Sequence, residues 1–232
     1  MNAALKQIPQ RILSLAIGAL TQANTHAVYL DPGNEHWQHI CVLNAAHAGE
    51  LFIKAIIARE HPLLIFKDIF SLDDNRGGLL DIETLIRRGR THDFERLPQI
   101  LWATTDKRIP NPACFERLRL ARNAIQHFCV PEEKDFQELS LEFIYTIIDP
   151  LIADVFGLCA IEFHEDHSVS YDYVVSALLR SRLKFTVPDD FAITEINMNE
   201  ELKGASSAYK SWVRKQMKRV NRLDLLSTAD AS

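Results

Sequence analysis

In the run Arg122-Asn123-Ala124-Ile125-Gln126-His127, an imidazole follows a guanidinium by five positions. A guanidinium grips a phosphate through its fixed fork of donors, and an imidazole exchanges protons near neutrality. Together they suit a phosphodiester with a proton-transfer partner. Asn123 and His127 are four apart, so on a helix they share a face. Arg122 stands about 140° round from His127, yet its long side chain can reach a cleft at the same end. Spacing alone is a weak signal. A chain with 16 Arg and 9 His is expected to hold about 0.6 such pairs by composition. A second copy, Arg87 to His92, runs through Gly89 in a stretch rich in breakers and is set aside.

The first copy lies on a helix with a clear start. Asn111 supplies an N-cap acceptor and Pro112 fits the first helical position. That helix is predicted to carry Ala113 to Phe128 and stop before Pro131, with Leu118, Ala121, Ala124, Ile125 and Phe128 as its core face. Upstream, helices are predicted over about Pro9 to Asn24 and about Glu35 to Glu60, separated by the turn Asp31 to Asn34. Trp37, Ile40, Leu43, Ala48, Leu51, Phe52, Ala55 and Ile56 would form one buried stripe on the second helix, and Pro62 marks its end.

Residues 71 to 111 read as loops and short helices. Asp73, Asp74, Asn75, Gly77 and Gly78 break the chain, Asp81 can cap a helix and Gly89 can end it. A helix from about Glu132 to Ile148 follows, presenting Phe136, Leu139, Phe143, Ile144 and Ile147, with Pro150 as a kink before a helix over Leu151 to Phe163. Beyond residue 164 come a helix over Tyr171 to Phe185, a short strand over Phe191 to Met198 and a basic helix over Asn199 to Val220. No acid falls between residues 202 and 223. This helix offers cations to an RNA backbone or an acidic partner, or simply a solvated face.

Composition bounds these readings. The chain has 232 residues, 47% hydrophobic and 25% charged, with only 8 Gly and 9 Pro. That excludes wholesale disorder and collagen-like repeats, and favours one generous, mostly helical domain, or a core domain with an appendage. A net charge of -5 argues against a generic duplex-coating protein. Lys107, Arg108, Arg117 and Arg119 precede the motif and would widen an electropositive cleft, or else decorate the surface. Cys41, Cys114, Cys129 and Cys159 form no C-x-x-C pair, so they read as reduced, buried thiols in a cytoplasmic protein. No apolar run approaches the roughly 20 residues of a membrane span. Lys6 and Arg11 before Ile12 to Leu20 loosely resemble a secretory signal, but the preferred reading is an amphipathic first helix with Ser14 and Gln22 on its wetter side. Glu162, His164, Glu165, Asp166 and His167 mix carboxylates with imidazoles, but in sequence-local order and without H-E-x-x-H. They read as a solvated, acidic helix terminus, or a weak, adventitious metal site, and no functional metal or cofactor is expected. Gly77-Gly78 lacks the Lys-Ser/Thr of a phosphate loop, and no G-x-S-x-G context supports a triad.

At Arg122, Asn123 and His127 the chain resembles the HEPN superfamily (higher eukaryotes and prokaryotes nucleotide-binding domains), whose signature is R-x4-6-H with a polar residue often following the Arg. The segment Ala45-Ala46-His47-Ala48-Gly49-Glu50-Leu51-Phe52-Ile53-Lys54-Ala55 also looks like that family's earlier core helix. The resemblance covers roughly residues 35 to 150. The change of character after residue 164 sets off a C-terminal helical extension over 165–232, which lies outside the resemblance. The resemblance itself implies an all-α fold, a HEPN-like antiparallel helical bundle, here taken over residues 1–164. It further implies a metal-independent endoribonuclease, a toxin of a toxin–antitoxin or phage-defence system, built as a homodimer whose two motifs meet in one site. Its partners would be RNA and an antitoxin protein, with no membrane. Arg122 would hold the scissile phosphate, His127 would act as general acid or base for 2'-hydroxyl attack, and Asn123 would orient them. Members regulated by nucleotidyltransferases look like R-x4-H-x-Tyr, whereas Cys129 stands at that place here, which puts control by tyrosine modification in doubt. The rival readings are a non-catalytic nucleotide- or RNA-binding module and a purely structural helical partner protein.

Overall fold

The computed structural model describes residues 1–29, 31–34, 36–70, 80–127, 135–165, 168 and 170–226. Glu35, Asp73, Asp74, Asn75, Gly77, Gly78, Phe128, Cys129, Pro131, Glu132, Asp166 and His167, named above, lie outside these residues. A single turn, α1 (Ala3–Lys6), leads into α2 (Ile8–Val28), which packs along α3 (Trp37–Glu60) in the most extensive helix pair of the molecule. The first helix runs past its expected end at Asn24 to Val28, with Asn24 inside it. The buried Asn24 amide donates to the carbonyls of Ala160 (2.9 Å) and Phe163 (2.8 Å), and accepts from the Tyr145 hydroxyl at 3.0 Å.

Helix α3 does not bury the single stripe expected of it. Trp37, Ile40, Leu43 and Leu51 are only half-buried, while Cys41, Val42, Ala45, Ala46 and every residue from Phe52 to Ala58 are buried. The reason is its central position, since α2, α5 (Leu97–Thr105), α6 (Pro112–Gln126) and α7 (Phe136–Phe143) all pack on it. Among the described residues it is also the one helix long and apolar enough to cross a membrane, which corrects the reading that no run approaches that length. Two-thirds of that apolar window is buried in the bundle, as befits a core helix.

Between α3 and α6 lie a 3-10 turn (Pro62–Ile65), α4 (Ile82–Arg88) and a second 3-10 turn (Phe94–Arg96). Asp81 caps α4 by accepting from the Thr84 N–H at 3.0 Å, and Gly89 ends it, both as the sequence indicates. Phe66 and Thr91 form an isolated antiparallel bridge. Every other regular element among the described residues is helical. The fold is therefore all-α.

Several boundaries differ from expectation for local reasons. Pro150 does not interrupt its helix: a π-helical turn (Ile144–Ile148) precedes it, and Pro150 occupies the first turn of α8 (Asp149–Phe156), where its missing N–H is not needed. Helix α8 stops at Gly157, in the left-handed region at φ 68°, well short of Phe163. Helix α9 (Asp172–Arg180) likewise ends before Phe185, with Arg182 left-handed at φ 58°. The expected strand over Phe191 to Met198 does not form. Its backbone is pinned to the start of α9, Ala192 N–H donating to the Tyr171 hydroxyl (2.7 Å) and Thr194 N–H to the Asp172 carboxylate (2.6 Å). The basic tail is two helices, α10 (Met198–Glu201) and α11 (Ser207–Arg219), divided by Gly204 at φ 73° and restarted by Ser206 as N-cap. One hydrophobic core runs unbroken from Leu5 to Val220.

Candidate functional site

Helix α6 starts where Asn111 accepts from the Cys114 N–H at 3.1 Å, and the Asn111 amide also donates to Thr146 at 3.2 Å. Cys114, Phe115, Leu118 and Ala121 are buried, which fixes the rotation of α6 on the bundle. One position after this anchored face comes Arg122. Its side chain is 27% exposed, 3.6 Å from a carboxylate oxygen of Glu50, with the guanidinium carbon 5.9 Å from the Phe94 ring centre. Glu50 also binds Lys54 at 2.6 Å, and the Lys54 ammonium, only 8% exposed, donates to the Thr91 hydroxyl at 2.9 Å. A polar chain Arg122–Glu50–Lys54–Thr91 thus joins α6, α3 and the segment leading to the Phe94–Arg96 turn. His92, beside Thr91, donates its backbone N–H to the Ile65 carbonyl. Burial first, then the charges of Lys67 and Lys54, hold the His92 imidazole below its ordinary pKa. Its sequence-stretch companion Arg87 is exposed on the last turn of α4.

His127 is the C-cap of α6, whose last helical residue is Gln126. Its backbone N–H donates to the Asn123 (3.1 Å) and Ala124 (3.2 Å) carbonyls, and its ring is exposed. Asn123 is half-buried beside Arg122. The three motif residues therefore occupy the last turn and a half of one helix, with Arg122 turned to the interior carboxylate and His127 at the open end.

The four further cations are dispersed. Arg117 reaches both oxygens of Glu142 at 2.6 Å on α7, and Lys107 pairs with Asp154 on α8. Arg108 lies over the Trp102 ring of α5 at 6.0 Å. Only Arg119 shares the setting of Arg122: it binds Glu116 at 2.6 Å and stands 3.6 Å from Glu95, next to Phe94. Glu95 and Glu116 also line a groove of about 450 Å³ with Trp102, Arg108, Ile109 and Phe115.

Past the end of α8, in the 3-10 turn Ala160–Glu162 and the residues after it, Glu162 accepts from the Cys159 N–H at 3.3 Å and Glu165 bonds Gln22. His164 is buried, so the expected solvated helix terminus is neither the end of α8 nor simply solvated. No group of three metal-ligating side chains occurs among the described residues. Cys41, Cys114 and Cys159 are buried free thiols, and burial pushes each up to about 12.

Arg122, Asn123 and His127 are legible in the sequence by type and spacing, Glu50 and Lys54 only as part of the segment Ala45 to Ala55. Thr91 and Phe94 carried no signal of their own, because an isolated Thr or Phe gains meaning only from what it touches. Comparisons with protein-family models, with curated proteins and with solved structures find no match to this chain.

Proposed function

We propose that this chain is a metal-independent endoribonuclease of HEPN-like architecture, a toxin or phage-defence effector acting as a homodimer. The observation carrying the reading is the setting of Arg122. It projects from a capped, well-anchored helix, is steered by Glu50 and Phe94, and is followed on the same helix end by Asn123 and the exposed His127. In this mechanism His127 takes the proton of a ribose 2'-hydroxyl, whose oxygen attacks the adjacent phosphorus. The bond from phosphorus to the 5'-oxygen breaks, that oxygen is protonated, and a 2',3'-cyclic phosphate remains. Arg122 neutralises the charge growing on the phosphate oxygens. Two copies of the motif facing each other would supply separate acid and base.

The engagement of Arg122 by Glu50 leaves the guanidinium less available to a phosphate, which favours a second reading: Arg122 serves the fold, and the helix end is at most a module that holds RNA or a nucleotide without cutting it. Incubation of the purified protein with labelled RNA in EDTA separates the two. Cleavage to 2',3'-cyclic phosphate ends by a species of twice the chain mass, abolished in His127→Ala, is the result expected. A folded dimer that binds RNA and leaves it intact overturns the catalytic reading in favour of the module.

A further inference from the structure

Cations near the C-terminus fall into two groups. Lys203, Arg219 and Arg222 are tied to Glu200, Asp189 and Asp224. Lys210, Arg214, Lys215 and Lys218, all exposed on α11, stand in no ion pair among the described residues. The opposite side of α11 fixes which way they point. Tyr209, Val213 and Met217 are buried, Trp212 packs on Phe185 with ring centres 5.6 Å apart, and the Tyr209 hydroxyl donates to the Leu183 carbonyl at 2.6 Å.

Lys210, Arg214 and Lys218 recur every fourth residue, about 6 Å apart along the helix axis. Even along a duplex, each strand presents a phosphate about every 3.4 Å of helix axis, so cations this far apart can each meet a different phosphate. Ser207 and Ser211 are exposed on the same helix and add hydroxyl donors of the kind used on phosphates. Like charges four apart oppose the helix, so the stripe is a cost to local stability that an external polyanion relieves. The exposed face of α11 carries no large apolar side chain to enter a lipid layer, since its apolar residues are spent on the bundle. For the same reason it lacks the apolar centre of a protein–protein interface.

We propose that the outward face of α11 binds the sugar–phosphate backbone of a nucleic-acid strand, without reading its bases and apart from the Arg122–His127 site. Binding, not cleavage, tests it, so absence of nuclease activity leaves this inference standing. Anisotropy of labelled single-stranded RNA and DNA oligonucleotides, titrated with the full-length protein between about 50 and 200 mM salt, gives affinity and salt slope. Both oligonucleotides are expected to bind. In K210Q/R214Q/K215Q/K218Q the slope should shrink by about 0.7 per lost contact, with at least about a tenfold loss of affinity at low salt. The charge-keeping K210R/R214K/K215R/K218R should bind like wild type. Helical circular dichroism checks the fold, and the double variant K210Q/R214Q reads the same effect at smaller amplitude. A folded glutamine variant with unchanged affinity and slope overturns the proposal. So does a wild-type protein that sediments with phosphatidylserine vesicles and leaves the oligonucleotides free.

Discussion

Glu50 faces two cations of unequal exposure, Lys54 at 8% and Arg122 at 27%. In Glu50→Ala the buried Lys54 loses its counter-charge, and a loss of stability on the order of 3 kcal/mol is expected in urea unfolding. Arg122→Ala should cost less than about 1 kcal/mol, because a half-exposed ion pair contributes little. If Arg122 serves the phosphate, that same variant abolishes RNA cleavage while remaining folded. His92 gives a pH signature. Its folded-state pKa lies below the ordinary 6.5, so its contribution is complete above that value. As pH falls through 6.5 toward the depressed folded value, the unfolded chain takes up a proton that the folded site resists, and stability declines. Urea midpoints from about pH 8 down to about pH 5 should fall, and His92→Gln should flatten part of that fall. Residue types and spacing made Arg122 and His127 visible in the sequence, because their chemistry is intrinsic. That Arg122 meets Glu50 was not visible, since contact between distant segments leaves no local pattern.

Helices were legible wherever capping and periodicity agree. Asn111-Pro112 and Asp81 begin helices as their chemistry dictates, and Gly89 ends one. Prediction overran wherever a left-handed residue stops a helix inside an apolar or basic run, as at Gly157 and Gly204. Pro150 misled in the opposite sense, because the π-helical turn before it lets the chain continue. Gly49 shows how packing overrides propensity. A Cβ there would lie 2.6 Å from the ring of Phe143, which is itself fully buried against α3. Gly49→Ala gains up to about 1 kcal/mol of helix propensity, yet overpacking of this kind costs about 1–3 kcal/mol. A net lowering of the unfolding midpoint is the expected result, and a raised midpoint would show that α3 and α7 can part at no cost.

The unbroken core from Leu5 to Val220 ties the C-terminal segments to the helices before them. Asp149 is one of the ties: its buried carboxylate accepts from the Ala160 N–H at 2.9 Å and the Thr186 N–H at 2.6 Å. Burial raises its pKa, and these two hydrogen bonds draw it back. Asp149→Ala orphans both N–H groups, and a loss of about 2–4 kcal/mol is expected. Fluorescence of Trp37, Trp102 and Trp212 during urea unfolding checks this, and the three should report one shared transition at lower denaturant. The sequence by itself determined the all-helical class and the capped start of α6, and singled out Arg122 and His127 by residue type and spacing alone. Composition, capping and hydrophobic spacing are local properties, and they survive without knowledge of neighbours. Only the tertiary structure decided that α3 is buried nearly all round in its second half, that Lys107, Arg108, Arg117 and Arg119 answer to different partners, and that Lys210, Arg214, Lys215 and Lys218 share the outward face of α11. Burial and ion pairing depend on segments far apart in the chain, and only packing brings those together.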